Sequence, residues 1–494
     1  MDRNNTSAQL FKKAFFANLL LAVTAPLWAI PVDWHGALSV DTTNILNYRK
    51  TVQSTNSTSP IDPGSQEIYI TNGAGDNASF QNYIFRLEPN IVINDAASVF
   101  AEITNGYARG GRFGDNSTSS RESGMGSALY AFNTSDTGVA SLAFAKFYME
   151  LYSDVGTYQI GRHSAGWALG AVVSDGKGAN DHFSSTRDGI SVSYKLGNFT
   201  LAPYWAKLGS IGSQTRTHKV EEHGISMLYD NTERAYGFGV LYSKKDSGTQ
   251  NQLIQTDVGG MGATSVGIVD TKLFDLYFKK RFGNFSFEVE IPFFSGKIGN
   301  IYQDGRNINY KARSVIFESK YFINDFWTVG FNAGTISGED GQISNYGATY
   351  LNPNYQIAYL MFRYNLMAIS DDNKSLYDSY ITNANYLRFY GKYLSGKWLW
   401  NMAFIYAAAN EIASTGHDAY NHLTNKQFAA TANQNSELGF EVDGGFDYQW
   451  NKEISVSGIL GYHFAGDYYA FTNSDNPNDA SDSYIYQFKT TISF

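Results

Sequence analysis

Tyr484-Ile485-Tyr486-Gln487-Phe488-Lys489-Thr490-Thr491-Ile492-Ser493-Phe494, the end of the chain, decides the fold. Counting back from the last residue, Phe494, Ile492, Thr490, Phe488, Tyr486 and Tyr484 share one face of an extended strand. Ser493, Thr491, Lys489, Gln487 and Ile485 share the other, and all but the last are polar. Such a strand needs an apolar phase on one side and water on the other.

The same period of two runs through most of the chain, in segments of about ten residues. Segments 145–152 and 155–162 are joined by Ser153-Asp154, 190–196 and 199–206 by Gly197-Asn198, and 272–282 and 285–293 by Gly283-Asn284. Three further pairs follow: 312–322 with 327–335, 386–394 with 398–407, and 437–450 with 454–464. Gly-Asn and Asn-Lys suit tight hairpins that need positive φ. Between the pairs lie long stretches rich in Asn, Ser, Thr, Gly and Asp, at 54–79, 110–127, 243–269, 336–354, 408–436 and 466–483. Aromatic residues recur beside the short turns: Phe282 and Phe285, then Tyr321, Phe322, Phe326 and Trp327, then Tyr393 and Trp398, then Tyr448 and Trp450. Rings repeated at one end of successive hairpins form a girdle at a membrane face.

A last strand closing on Phe494, with Tyr484, Tyr486, Phe488 and Ile492 before it, resembles the assembly signal of bacterial outer-membrane β-barrels. The expected fold is therefore all-β: one transmembrane antiparallel β-barrel with short periplasmic turns and long extracellular loops. Segments sum to nineteen when residues 32–45 are included, and single-chain barrels close on even numbers. The expectation is about eighteen strands, within sixteen to twenty, with the uncertainty confined to 355–385. A wall that wide encloses an aqueous channel unless something plugs it. The segment 437–449 opposes Leu438, Phe440, Val442 and Phe446 to Glu437, Glu441, Asp443 and Asp447. Four carboxylates on one face require partners or water, which predicts a wet lumen.

The other end of the chain agrees. Lys12 and Lys13 precede an uncharged stretch, 14–29, that ends Leu27-Trp28-Ala29. This reads as a secretory signal peptide over 1–29, leaving 30–494 as a single barrel domain. No other stretch offers the roughly 20 consecutive apolar residues of a spanning helix. Aromatic residues make up 16% of the chain, with Tyr 35 and Phe 34, which suits membrane interfaces. Cys is 0, which excludes disulfides, thiolate metal sites and a lipoprotein anchor. The formal charge is -9, and removing the net +2 of residues 1–29 leaves about -11, which argues against a nucleic-acid partner. No cofactor or metal motif is present. The loop Asn473-Ser474-Asp475-Asn476-Pro477-Asn478-Asp479 lacks calcium hand-loop spacing.

The segment 155–162 falls short of the roughly 9–11 residues a tilted strand needs. Parity would set Arg162 against lipid, a costly place for a guanidinium. The wall strand is therefore expected to stop at Gly161, with 164–188 folding inward on bends at Gly166, Gly170, Gly176 and Gly178. Gly161-Arg162-His163-Ser164-Ala165-Gly166, followed by Arg187-Asp188-Gly189-Ile190, resembles the general and major porins of Gram-negative bacteria. In that family a strand ending in Gly-Arg leads into a long third loop that narrows the pore. The resemblance implies acidic residues on this loop facing wall cations. By position Asp175, Asp181 and Asp188 would supply the acid and Arg86, Lys146 and Arg162 the base, with Glu88, Glu102 and Glu150 beside them. It implies passive diffusion of ions and small hydrophilic solutes, and often a homotrimer. The partners it implies are outer-membrane lipid, lipopolysaccharide and the barrel-assembly machinery.

Other readings remain. A sugar- or anion-selective porin would use Tyr148, Tyr152 and Tyr204 as a stacking track. A structural or adhesive surface barrel would have a blocked lumen. An enzyme is not expected: His163-Ser164 is the nearest approach to a catalytic pair, and adjacent strand residues point to opposite faces.

Overall fold

The first strand pairs with the last, and that pairing closes the wall. Val32–Leu46 (β1) runs antiparallel to the C-terminal strand, with Ala37 opposite Ser493 and Leu46 opposite Tyr484. The structure is a computed structural model. It describes residues 31–47, 50–53, 68–71, 77–105, 109–113, 142–210, 219–247, 252–254, 264–299, 301, 306–342, 344–364, 376–377, 379–422, 426–473 and 480–494. The signal peptide expected at 1–29 and residues 474–479 of the Asp/Asn-rich loop lie outside these residues.

From β1 the wall passes through Ala78–Asn94 (β2), Ala97–Asn105 (β3), Leu142–Tyr152 (β4), Thr157–Ser164 (β5) and Thr186–Leu196 (β6). It continues through Phe199–Ser210 (β7), Lys219–Asn231 (β8), Tyr236–Asp246 (β9), Val269–Phe282 (β10), Phe285–Gly299 (β11) and Ile308–Phe322 (β12). Trp327–Ile336 (β13), Ala384–Ser395 (β14), Trp398–Ala408 (β15), Glu437–Gln449 (β16), Ile454–Ala465 (β17) and Ser483–Ser493 (β18) complete it. Each strand pairs antiparallel with its neighbour in sequence, which makes a closed barrel of 18 strands. The hydrogen-bonded sheet counts 20 because Gly110–Arg112 lies beside β2 and Asn345–Tyr346 beside β12. Among the described residues no helix is long and apolar enough to cross a membrane.

Strand faces follow the period-two pattern. Phe494 is 55% exposed and Phe488 56%, whereas Ser483, Gln487 and Thr491 are buried inward. The ring of Phe494 lies over Gly36, where an added Cβ would stand 2.6 Å from it. A side chain at Gly36 would push the terminal ring off the wall. The outward face is apolar strand after strand, with Phe274, Phe293, Phe389, Trp400, Phe404 and Leu460 all exposed. Trp327 stacks on Tyr393 at 4.5 Å, and Trp398 lies 4.5 Å from Tyr448, so rings from adjacent hairpins join beside the short turns. Interfacial aromatics of this kind fix a barrel's depth in a bilayer.

Among its described residues the uncertain region 355–385 contributes no wall strand before Ala384. Residues 355–364 form turns, and β14 begins at Ala384. The segment folds into the lumen, where Leu351, Ile357, Met361 and Ile381 are buried against Ile316, Ile336, Ala384, Ile405 and Leu438 of the inner wall. Each such side chain contributes roughly 1.5–3 kcal/mol of apolar burial. A second cluster sets Leu360, Tyr364 and Leu376 against Ile45, Phe80 and Ile485. Ile485, the one apolar residue on the wet face of the last strand, is there to meet this loop.

Candidate functional site: a lumen crossed by two connections

Two long connections, 165–185 and 337–383 (the latter described at 337–342, 344–364, 376–377 and 379–383), place their described residues in the lumen from the same end of the barrel. The first leaves the wall where His163 pairs with Arg187 and Ser164 with Thr186. Its Trp167 is buried in a cluster with Tyr204, Leu241 and Tyr277, the Tyr277 ring lying edge-on at 6.4 Å. The Leu169 amide donates to Glu290 Oε2 of β11 at 2.8 Å. Toward β1 the loop reaches Ser39, whose hydroxyl donates to Asn180 Oδ1 at 3.3 Å.

Between these anchors the loop is clamped by two arginines. Arg86 of β2 and Arg109 both donate to the Gly176 carbonyl, at 2.9 and 2.6 Å. Gly176 has φ +62, and a Cβ there would sit 2.1 Å from the Phe183 carbonyl oxygen, so the clamp needs glycine. Arg109 also donates to the Asp181 carbonyl at 3.1 Å. Its other nitrogens hold Glu102, Nε to Oε1 at 2.7 Å and Nη2 to Oε2 at 3.0 Å. Lys146 Nζ reaches the same carboxylate at 2.8 Å. Glu102, Arg109 and Lys146 are all buried, where charges persist only in such multiply bonded groups.

The structure thus brings Arg86, Glu102 and Lys146 together, and adds Arg109, which sequence reasoning missed. Arg109 sits in the irregular stretch after β3 with φ +56, outside the alternating pattern that assigned the others to a face. Asp175 and Asp181 lie on the loop as expected, but their carboxylates serve the loop itself. Asp175 pairs with Lys177 at 3.0 Å, and Asp181 accepts the Gly178 amide at 2.8 Å. Glu88 faces inward on β2, and Glu150 accepts from Tyr152 Oη at 2.6 Å and Gln159 Nε2 at 3.0 Å.

Arg162 and Asp188 lie elsewhere. The strand does not stop at Gly161: β5 runs on to Ser164, with Gly161 held in the ladder opposite Gly189 at φ +124. Parity therefore carries Arg162 outward, opposite Asp188 and beside exposed Phe147 and Ile190. The guanidinium is tolerated there because Asp188 grips it with both oxygens at 2.6 Å. This pair takes no part in the lumen.

The proposed stacking residues are also committed. Tyr148 stacks on Phe100 at 5.2 Å. Tyr204 is buried, donates to Glu222 at 2.8 Å and lies under the Arg187 guanidinium at 3.3 Å. His163 Nε2 meets Ser191 Oγ at 2.6 Å, not Ser164, and the ring is only 1% exposed.

The second connection is held by Glu441 of β16. One carboxylate accepts three consecutive amides, Tyr359 at 2.8 Å, Leu360 at 2.7 Å and Met361 at 2.7 Å, and Asp443 takes the Tyr359 amide as well at 3.1 Å. Two of the four carboxylates expected to need water are therefore buried and bonded to loop backbone. Asp447 remains exposed in the bore. The two connections also grip each other. Asn352 N–H donates to the Ala171 carbonyl at 2.7 Å, Asn354 Nδ2 to the Phe183 carbonyl at 2.8 Å, and His182 stacks on Tyr377 at 3.4 Å. Together they form a diaphragm. The inward side chains left exposed around it, Lys177, Lys320, Lys392 and Asp447, carry both signs.

Over the outer mouth, the hairpin Asp418–Asn421 with Lys426–Ala429 packs on the start of the second connection. His422 Nε2 accepts the Glu339 amide at 2.8 Å. Burial pushes the His422 pKa down to about 4, from an ordinary value near 6.5. The detached loop takes up a proton near pH 6.5 and the docked loop not until about 4, so docking is strongest above 6.5 and weakens as pH falls through that window. The protection factor of the Glu339 amide, its exchange rate referred to the intrinsic rate at each pH, is expected to fall as pH drops from 6.5 to 4, and to lose that dependence in His422→Gln. A protection factor independent of pH in the natural protein would refute the linkage.

No protein-family model matches the chain, and no curated protein matches its sequence. Among solved structures it is similar to OpdL of Pseudomonas aeruginosa, with 11% identity, 94% of this chain and 99% of that chain covered, and a TM-score of 0.48. OccK2 (OpdF) of the same organism gives 10% identity, 94% and 98% coverage and a TM-score of 0.47. OmpT, an outer membrane protein of Vibrio cholerae, gives 10%, 94%, 99% and 0.35 in its loop L8 deletion form. The skin of the wall decides independently of these likenesses. Water would not tolerate that continuous belt of Phe, Trp and Leu around a closed cylinder, and hydrocarbon requires it. The chain is a closed transmembrane antiparallel β-barrel of 18 strands.

Proposed function

We propose that the barrel is a porin through which ions and small hydrophilic solutes diffuse passively, and that the diaphragm of 165–185 and 337–383 is its constriction. The observation that carries this reading is the mixture inside the wall: charged side chains of both signs remain exposed beside loops pinned to the wall. A blocked structural barrel has no use for such a surface, whereas a water-filled path does. Purified protein in planar bilayers is expected to give discrete ohmic conductance steps. A barrel that inserts without conducting would favour the structural or adhesive role instead.

The second inward connection favours a further reading, selective passage of one solute class. A single loop narrows a bore; two loops bonded to each other fix its shape, which is what discrimination between solutes requires. Current block by added sugars or carboxylates, measured on the same channels, separates selective from general diffusion. The outward, exposed aromatic face of Tyr484, Tyr486, Phe488, Ile492 and Phe494 supports its recognition by the barrel-assembly machinery during insertion.

A further inference from the structure

On the outer wall, cations gather where an apolar skin should be. Lys272 of β10, Lys297 of β11, and Lys311 and Arg313 of β12 all face outward and are exposed. Register places them side by side: Lys272 pairs with Ser295, which pairs with Lys311; Asp270 pairs with Lys297; and Arg313 pairs with Phe293. Neighbouring strands are about 4.8 Å apart and alternate residues about 7 Å, so each of the four stands about 7–8 Å from its nearest fellow and the farthest pair, Lys297 and Arg313, about 14 Å apart. The acidic groups that share this surface are Asp246 and Asp270, both turned to Lys244 at 2.5 and 3.5 Å, and Glu221, one strand further from the four cations and opposite Asp246. Among the described residues Lys272, Lys297, Lys311 and Arg313 make no ion pair.

Beneath the three lysines and level with Arg313, toward the middle of the wall, stand Phe274 and Phe293, 44% and 40% exposed. The patch lies far from the short turns 283–284 and 323–326, at the end that carries the long connections. In an outer-membrane barrel that end faces the outer leaflet. Toward the same end of β14 to β18 the outward residues are Leu387, Tyr406, Phe440, Tyr462 and Tyr484, so the charge is local and not a general rim.

Unpaired cations on a lipid-facing wall are costly unless anions meet them. The geometry points to a docking site for a phosphorylated glycolipid of the outer leaflet, its phosphates held by Lys272, Lys297, Lys311 and Arg313 and its acyl chains lying on Phe274 and Phe293. Arg313 supplies the bidentate fork for one phosphate and the lysines supply point charges. The inference rests on the barrel's orientation in the membrane and not on what it conducts.

The test compares the natural protein with a variant carrying Lys272→Gln, Lys297→Gln, Lys311→Gln and Arg313→Gln. Both are purified in mild detergent and incubated with lipid A, with dephosphorylated lipid A, or with phosphatidylglycerol, and bound lipid is counted by native mass spectrometry. The natural protein is expected to retain lipid A at least fivefold over the other two lipids, and the variant to lose that excess. Equal retention by the variant, or equal retention of phosphatidylglycerol, overturns the proposal. Bilayer conductance of the same samples reports separately on the channel reading and is expected to be unchanged. Should the fourfold variant fail to fold, Arg313→Gln alone and Lys297→Gln alone are each expected to reduce lipid A retention. Full retention in both would overturn the site.

Discussion

Arg109→Ala is expected to free the 165–185 connection from the wall while leaving the barrel closed. The residue bridges Glu102 to the carbonyls of Gly176 and Asp181 from a position only 3% exposed. Removing one member of a buried, hydrogen-bonded ion group costs about 3–5 kcal/mol, largely because the remaining charge is left underpaired. Lys146 still reaches Glu102, which places the expected loss toward the lower end of that range. The wall ladder does not involve the Arg109 side chain, so the loss falls on the loop and raises its open fraction on the order of a hundredfold. Amide exchange at Gly176 and Phe183 should rise accordingly, and single-channel conductance should increase and become noisy. Arg109→Lys is expected to rescue little, since one ammonium cannot satisfy two carbonyls and a carboxylate together. Arg86→Ala removes a single bond to Gly176 and should cost about 1–3 kcal/mol. If Arg109→Ala shifts reversal potential with exchange and conductance unchanged, the residue is a filter charge and not a clamp.

The wall was legible in the sequence because a barrel strand has two solvents, and each writes its own residues at alternate positions. β16 and β18 show this plainly, and the hairpin turns follow from Gly-Asn and Asn-Lys pairs. The pattern fails where the inside is not wet. In β15, Met402, Phe404 and Tyr406 face lipid, but Ala403, Ile405 and Ala407 also face an apolar surface, supplied by the second connection. A strand apolar on both faces is the sequence trace of a covered inner wall, and so is the lone Ile485 among polar neighbours. Neither trace says which segment does the covering. The segment 355–364 could not be recognised as lumenal, since its Ile357, Leu360, Met361 and Tyr364 fall at i, i+3, i+4 and i+7, a helical spacing, whereas the segment forms bends and turns. The candidate site was legible by charge and parity for Arg86, Glu102 and Lys146. It failed at Arg162 because bond geometry decided: a bidentate Asp188 lets a guanidinium stay on the outer face that parity assigned it. It missed Arg109 because a residue in an irregular turn has no parity to read.

Glu441→Ala is expected to undo the other half of the diaphragm. The carboxylate gathers the amides of Tyr359, Leu360 and Met361, a concave run of donors that only an anionic or carbonyl oxygen at that point can satisfy. Each hydrogen bond to a charged acceptor is worth about 1.5–3 kcal/mol in isolation, but three to one group do not add, and Asp443 keeps a share of the Tyr359 amide. A net loss of about 3 kcal/mol is the reasonable expectation, on the order of a hundredfold in local opening. The apolar burial of Leu351, Ile357 and Ile381 still draws the segment toward the wall, so the loop should loosen without leaving the lumen. That combination has a distinct signature: faster exchange confined to 359–361 and its neighbours, with conductance that flickers between two levels. Glu441→Gln retains one acceptor oxygen and should restore part of the protection, whereas Glu441→Leu should not. Unaltered exchange in Glu441→Ala would mean the apolar contacts alone hold the segment. The buried carboxylate would then be a consequence of the fold and not what places the constriction.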